Sequence, residues 1–361
     1  MVELLQRTAD DIVCLVRTHG EDVTTRLHRT LMHAATCYGV ADVVEHAIRE
    51  RCRAIAGDVE LADCGVSTAD GPHCDEFWHS AASLRFEDRY AAEIFRTNAD
   101  GTRHALDLAA RLGAKHFNYM STAYVCGARS GRILEEAAPE DVPVNNQYER
   151  SKVAAESFVA RDNRFGRRIM RPSIVIGHSK TLKATNFTGL YGFLRKLHAF
   201  RGMMDRAQTG LLDRKSVRLR LDADCTLDFV PIDRVTANAV TIATTTCPAK
   251  HEVQYYHLSN PLAPPISPTI AVVAQAAGLS SMTFVNNRND FDWLDEKFNS
   301  RIDFYNSYFL AAKTFDRSRL ERIVGDEPHE AYDMPPERIR DYCDWYVHQL
   351  KEARADLPET R

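Results

Sequence analysis

The chain has 361 residues, of which 44% are hydrophobic, 27% are charged and 9% are aromatic. This composition supplies a globular core and excludes a disordered, collagen-like or coiled-coil protein. The 46 basic and 50 acidic residues give a net charge of −4, so no overall field draws the chain to nucleic acid or to an anionic membrane. Its apolar stretches are shorter than the roughly 18 residues of a membrane span, which predicts no transmembrane helix.

The N-terminal stretch and the cysteines bear on the cellular compartment. Residues 1–17 (MVELLQRTADDIVCLVR) lack the basic, apolar and small-residue regions of a secretory signal. The nine cysteines are scattered, with no CxxC pair and no His/Cys cluster at the spacing of metal ligands. Such cysteines are typical of reduced thiols, so we expect a cytoplasmic protein without a metal site.

Short β-branched or aromatic segments alternate with helical patterns through the first half of the chain. The predicted strands cover residues 12–16, 52–56, 76–79, 116–120 and 168–170. The predicted helices include one that carries Val23, Leu27 and Leu31 on one stripe, one over about 88–112 that ends at Gly113, and one over 148–161. This alternation predicts an α/β fold with a doubly wound parallel sheet, Rossmann-like, covered by helices on both faces.

After Pro172 the pattern changes. Residues 179–225 are basic and aromatic without strand alternation, and we interpret their charges as a solvated helix face. The further predicted elements are strands over 226–230, 253–258 and 282–285 and a helix over 336–350. We therefore predict a main domain over 1–178 with a return at about 226–246, and a smaller C-terminal substrate lobe over 179–225 and 247–361.

The strongest chemical signal is Tyr148 and Lys152, which lie four residues apart at the start of a predicted helix and so share one face. A phenol with a pKa near 10 needs help to exchange protons at neutral pH, and a neighbouring ammonium favours its ionised form. The same lysine can hold a ribose hydroxyl of a cofactor. Thr122 follows a predicted strand and so lies at the carboxyl end of the sheet, where doubly wound folds bind ligands. Its hydroxyl would form a hydrogen bond to the substrate oxygen. Taken alone, the spacing also fits a surface tyrosine and lysine.

With five further segments, this constellation resembles the extended short-chain dehydrogenase/reductase superfamily over residues 1 to about 260. The segments are Gly57-Asp58, His79 to Ser83, Thr97 to Thr102, Arg171 to Val175 and Asp228 to Asp233. The resemblance implies an NAD(P)-binding main domain and a catalytic triad of Thr122, Tyr148 and Lys152. It also implies cofactor contacts from Asp58, Ser80, Ala81, Ala82, Asn98, Tyr148, Lys152, Pro172, Ser173 and Ile174.

Within that superfamily, Cys14 to Arg17 followed by Arg26 is similar to the thioester reductase and fatty acyl-CoA reductase branch, the male sterility type domain. That branch reduces acyl thioesters, held on carrier proteins or coenzyme A, to an aldehyde or alcohol. Arg17 ends the strand beside which a ribose 2′-phosphate would lie, so the resemblance implies NADP(H) as cofactor. A solvent-exposed arginine is the alternative for this residue. Tyr308 and Trp293 could line an acyl pocket or pack in the core.

One departure from the family pattern concerns the first strand and its glycine-rich turn, TGxxGxxG, which should precede the helix at Val2 to Arg7. Those glycines let the backbone approach a pyrophosphate. Their absence predicts either that the recorded start is too late or that the protein binds nucleotide poorly or not at all. Two other functions therefore stay open: a relative that acts on a hydroxyl or ketone, as in sterol, flavonoid or nucleotide-sugar enzymes, and a non-catalytic protein of the same fold that lost the cofactor.

Overall fold

The computed structural model describes residues 1–67, 71–306, 308–325 and 327–355. The strands in this part of the chain are β1 (Ile12–Val16), β2 (Cys52–Ala56), β3 (Glu76–His79), β4 (His116–Met120), β5 (Gly131–Ile133), β6 (Gly166–Pro172), β7 (Ile174–Ile176), β8 (Val217–Arg220), β9 (Phe229–Pro231), β10 (Val253–Leu258), β11 (Met282–Val285) and β12 (Lys313–Phe315). The helices are α1 (Val2–Arg7), α2 (Val23–Tyr38), α3 (Ala41–Arg51), α4 (Ala91–Phe95), α5 (Gly101–Arg111), α6 (Gln147–Arg161), α7 (Leu190–Ala207), α8 (Leu211–Arg214), α9 (Ile232–Thr245), α10 (Ile266–Ala276), α11 (Trp293–Arg301), α12 (Asp303–Asn306), α13 (Ser318–Val324) and α14 (Pro336–Ala355).

The central sheet has four parallel strands in the order β10-β6-β4-β3. Strand β4 lies inside it, and the side chains of Phe117 and Tyr119 are buried in one core with Leu106, Ala109 and Val159 from the covering helices. Such near-continuous burial is typical of parallel strands covered on both faces. The predicted α/β fold with a parallel sheet is confirmed.

Strands β1 and β2 form a separate parallel pair, in which Ile12 lies opposite Cys52. Helices α1, α2 and α3 cover this pair and enclose their own apolar core. Leu15 and Ile55 also pack against the core of the central sheet, so the two sheets contact each other. Among the described residues, β1 pairs only with β2 and β3 only with β4, which leaves one edge of each without a strand partner.

The predicted helix over 88–112 is interrupted. A π-helical turn at Arg96–Asp100 separates α4 from α5, and α5 ends as predicted before Gly113, whose φ is +78°. A π turn carries one residue more than an α-helical turn and therefore changes which side chains face inward. Here it places Asn98 and Ala99 in the buried interior.

The C-terminal lobe is built on α7, α10, α11 and α14 around one large apolar core. Tyr191 and Phe193 of α7 lie in that core, whereas Arg195 and Lys196 are exposed as predicted. This half of the chain also contains strands. Residues 179–225 do contain a strand, β8, which pairs with β11. Strand β10 pairs with β6 and completes the central sheet.

Candidate active site

A cavity of about 450 Å³ opens at the carboxyl ends of β3, β4 and β6, where parallel sheets bind ligands. Its wall contains all three predicted catalytic residues and several predicted cofactor contacts: Ser80, Ala82, Thr122, Tyr148, Lys152, Pro172, Ser173 and Ile174. The remainder of the wall is mainly apolar and aromatic. Among the described lining residues, Lys152 carries the one charged side chain.

Thr122 follows β4 in extended backbone, with φ −149° and ψ 146°. Its Oγ1 caps the short helical turn at Ala123–Cys126 by accepting a hydrogen bond from the backbone N–H of Tyr124 at 3.3 Å. The neighbouring Ser121 Oγ is buried and has no hydrogen-bond partner among the described residues. Buried polar atoms normally have a partner, so this hydroxyl is available to a molecule bound in the cavity.

Lys152 lies on α6 with only 2% of its surface exposed. Its Nζ donates to the carbonyl oxygen of Met120 at 2.7 Å and lies 4.3 Å from the centre of the Tyr119 ring. Burial lowers the pKa of Lys152 to about 7, against an opposing effect of the Glu156 carboxylate. The ammonium is thus poised to lose or gain its proton near neutral pH.

Tyr148 is half-buried at the N-terminal end of α6, and its ring lies edge-on to Phe86 with 5.3 Å between centroids. No described residue hydrogen-bonds its hydroxyl, and the Lys152 ammonium is directed at Met120 instead. Burial, with a smaller contribution from the Glu149 carboxylate, raises the pKa of Tyr148 above its ordinary value. The phenol therefore keeps its proton at neutral pH and can act as a donor.

The predicted contacts on the 80–83 turn divide into two groups. Ser80 and Ala82 line the cavity, whereas Ala81 is exposed and is not among the lining residues. Asn98 lies behind the turn, 1% exposed, and bonds both backbone groups of Ser83, at 2.7 Å and 3.1 Å. It also donates to Ser151 Oγ at 2.9 Å. Because these bonds occupy its amide, Asn98 supports the turn and helix α6 rather than lining the cavity.

Arg17 and Asp58 belong to a second cavity of about 560 Å³ at the carboxyl ends of β1 and β2. Arg26 also lines it and donates to the carbonyl oxygen of Arg17 at 2.8 Å, which brings two guanidinium groups to one site. An added Cβ at Gly57 would lie 2.6 Å from the backbone carbonyl oxygen of Cys64, which cannot move as a flexible side chain can. A glycine is therefore required between β2 and Asp58.

Several lining residues were not predicted from the sequence. Phe86, Phe193, Ile270 and Phe304 lie on the cavity wall. No local motif marks them, because they come from separate loops and helices that meet only in the folded chain. Tyr308 lines the cavity, whereas Trp293 is 58% exposed and is not among the lining residues, so the pocket assignment fails for Trp293.

The described part of the chain lacks both a cluster of metal ligands and a membrane-spanning helix. There, no group of three His, Cys, Asp or Glu side chains could hold a metal ion. None of the helices described is both long and apolar enough to cross a bilayer.

Comparison with known proteins relates this geometry to a family. The family described as Male sterility protein matches residues 1–239. A linear gramicidin synthase chain of Brevibacillus parabrevis is 28% identical over 284 residues, which cover 75% of this chain and 5% of that protein. A 3 beta-hydroxysteroid dehydrogenase/Delta 5-->4-isomerase of Mycobacterium tuberculosis is 27% identical over 234 residues, 57% of this chain and 60% of that protein. The chain thus spans less than two thirds of both curated relatives.

The fold is also similar to that of solved structures. The terminal R domain from the myxalamid PKS-NRPS biosynthetic pathway superposes with a TM-score of 0.72 at 21% identity, over 97% of this chain and 87% of that one. This similarity covers both the central sheet and the C-terminal lobe. The chain belongs to the male sterility protein family, an NAD(P)-binding family, and has the fold of the extended short-chain dehydrogenases/reductases.

Proposed function

We propose that the protein reduces an acyl thioester, carried by coenzyme A or a carrier protein, to an aldehyde or alcohol with NADPH. One observation carries the proposal: a single cavity joins Thr122, Tyr148 and Lys152 to an apolar chamber formed by the C-terminal lobe. An uncharged chamber beside a proton donor suits an acyl chain whose carbonyl is being reduced. The similarity to a linear gramicidin synthase supports a carrier-bound substrate.

The two cavities suit the two halves of a nicotinamide dinucleotide. Lys152, Ser173 and the unpartnered Ser121 hydroxyl would hold the nicotinamide and its ribose, and Arg17 and Arg26 would hold a 2′-phosphate. A bidentate guanidinium favours NADPH over NADH, because an acidic residue would bind the free ribose hydroxyls of NAD. The bound cofactor would supply the hydride, because no side chain of the protein can donate one.

The side chains stabilise the developing negative charge and donate a proton while hydride is transferred to the carbonyl carbon. Thr122 and Tyr148 donate hydrogen bonds to the carbonyl oxygen as it gains negative charge. Tyr148 gives its proton to that oxygen, and the Lys152 ammonium favours the phenolate left behind. The hydroxyl of the resulting hemithioacetal then gives up its proton as the carbon–sulfur bond breaks, the sulfur takes up a proton and leaves as the thiol, and an aldehyde remains. A second hydride from a second cofactor would give the alcohol.

The test is oxidation of NADPH with acyl thioesters, monitored by absorbance, with mass spectrometry of the aldehyde or alcohol and of the released thiol. We expect oxidation that depends on thioester and yields one thiol for each acyl group consumed. The similarity to a hydroxysteroid dehydrogenase favours a second candidate, turnover of a hydroxyl or ketone. NADPH oxidation with a ketosteroid, or NADP+ reduction with a hydroxysteroid, combined with no turnover of any thioester, would replace the proposal by that one.

Arg17 sets the expected cofactor preference. Arg17→Ala should weaken NADPH binding by about 1.5–3 kcal/mol, the usual range for a hydrogen bond to a charged group, and leave NADH binding almost unchanged. Fluorescence titration with each cofactor measures both affinities. Arg53→Ala is the matched control, since Arg53 is exposed on β2 and does not line the second cavity. Equal losses for NADPH and NADH would make Arg17 a structural residue.

The pH dependence should follow Lys152. Because burial lowers its pKa to about 7, the ammonium is present below that pH and is lost as pH rises through it. We therefore expect kcat/KM for thioester reduction to fall on the alkaline side of about pH 7, as support for the Tyr148 phenolate disappears. In Lys152→Met, kcat/KM should be low at every pH and should show no further fall above about pH 7. A wild-type profile that is flat from pH 6 to about 9, or a limb that persists in Lys152→Met, would contradict this.

A further inference from the structure

The wall of the cavity opposite the sheet comes from a segment far along the chain. Phe304, Tyr308 and Phe309 all line the cavity, and Phe309 is buried in the core of the C-terminal lobe. This segment therefore joins the lobe to the site that holds Tyr148.

The first connection is a hydrogen bond to the residue next to Tyr148. Tyr308 donates its hydroxyl proton to Glu149 Oε1 at 2.8 Å, and the Glu149 side chain is fully buried. The backbone N–H of Asn145 donates to the other oxygen of that carboxylate at 2.8 Å, and Asn146 Nδ2 donates to Oε1 at 3.1 Å. Glu149 lies in the first turn of α6, where a negative charge is favoured by the helix N-terminus.

The second connection is a stack of rings. The Phe304 ring lies 4.2 Å from that of Phe86, and Phe86 in turn contacts the Tyr148 ring edge-on at 5.3 Å. Tyr148 is thus held through Glu149 on its chain side and through Phe86 on its ring side. Both contacts, Tyr308 with Glu149 and Phe304 with Phe86, come from the same C-terminal segment.

The segment is itself fixed beyond Tyr308. Strand β12 pairs with β5, and Lys313 Nζ donates to the carbonyl oxygen of Gly127 at 2.8 Å. The Tyr308 ring also lies edge-on to Tyr124, with 4.8 Å between centroids. Both Tyr124 and Gly127 belong to the loop that begins at Thr122. Tyr308 therefore lies between the threonine loop and the tyrosine helix.

We propose that Tyr308 is a positioning residue, whose bond to Glu149 holds the first turn of α6 so that the Tyr148 hydroxyl points at the reacting carbonyl. The inference rests on the proposed reductase function. It follows from the geometry that a movement of the C-terminal lobe alters the placement of the proton donor. Small displacements of a reacting group are costly to rate, on the order of a hundredfold per ångström in unfavourable cases.

The test compares Tyr308→Phe with Tyr305→Phe. Both substitutions remove a hydroxyl from the same cavity wall, but no hydrogen bond from the Tyr305 hydroxyl to a described residue is present. We expect Tyr308→Phe to lower kcat about tenfold more than Tyr305→Phe does, with KM values for NADPH and thioester changed by less than about twofold. The solvent deuterium isotope effect on kcat should rise in Tyr308→Phe, because proton donation becomes slower.

A second measurement does not depend on turnover. Hydrogen exchange of the amides of residues 147–150, followed by mass spectrometry, should accelerate in Tyr308→Phe and not in Tyr305→Phe. Equal kcat values in the two variants, or unchanged exchange in both, would overturn the positioning role. If none of the acyl thioesters tested supports NADPH oxidation by the wild-type protein, the proposed function fails. The hydrogen-exchange result would still decide whether Tyr308 holds the first turn of α6.

Discussion

Replacing Tyr148 with phenylalanine is expected to lower kcat by at least about a hundredfold, the scale on which a lost general acid slows a reaction. The substitution removes one hydroxyl and keeps the ring that packs against Phe86. No hydrogen bond within the described chain is lost, so the melting temperature and the affinity for NADPH should stay close to those of the wild type. Single-turnover oxidation of bound NADPH by an acyl thioester measures the effect directly.

A second tyrosine serves as the control for Tyr148→Phe. Tyr90 lies outside the cavity, under the guanidinium groups of Arg85 and Arg89, and Tyr90→Phe should leave kcat unchanged. If Tyr148→Phe turns over at a rate near that of the wild type, Tyr148 is not the proton donor. The Thr122 hydroxyl or a water molecule would then have to supply the proton.

Glu156→Ala is expected to lower the free energy of unfolding by about 3–5 kcal/mol, the cost of leaving a buried charge without its partner. Glu156 and Arg171 form a bidentate ion pair, with nitrogen–oxygen distances of 2.9 Å and 2.7 Å and both side chains at most 5% exposed. The pair joins α6 to β6 one helical turn beyond Lys152. Urea unfolding at pH 7, followed by circular dichroism, measures the loss.

The double variant Glu156→Leu/Arg171→Met provides the comparison. Replacing both charges with apolar side chains of similar size removes the unpaired guanidinium, so the double variant should be more stable than Glu156→Ala. A Glu156→Ala protein within about 1 kcal/mol of the wild type would mean that water or another group already solvates Arg171.

The sequence predicts five of the parallel strands well because their pattern is local. The predicted bounds of β1, β2, β3, β4 and β10 coincide with those observed. These strands are short runs of β-branched, aromatic and other apolar residues, which parallel sheets bury on both faces. Thr122, Tyr148 and Lys152 line one cavity, and the sequence singles them out by their positions at a strand end and at a helix start.

The remainder depends on contacts between distant parts of the chain. Strand β8 has four residues, and it is stabilised by pairing with β11 rather than by a strong local pattern. The π-helical turn at Arg96–Asp100 keeps a helical sequence and shows only in the backbone. The roles of Phe304 and Tyr308 require knowing that the C-terminal segment folds back onto α6, which periodicity along the chain does not reveal.

The division of the parallel strands into two sheets has a thermodynamic consequence. The β1–β2 pair and the central sheet each enclose an apolar core, and the two units contact each other through Leu15 and Ile55. Regions with separate cores behave as separate cooperative units in unfolding. A dinucleotide that binds both cavities would contact both units at once. Unfolding either unit would then cost the binding free energy of the ligand in addition to that unit's own stability. Saturation with such a ligand should therefore couple the unfolding of the β1–β2 pair, which carries Arg17, more strongly to that of the central sheet.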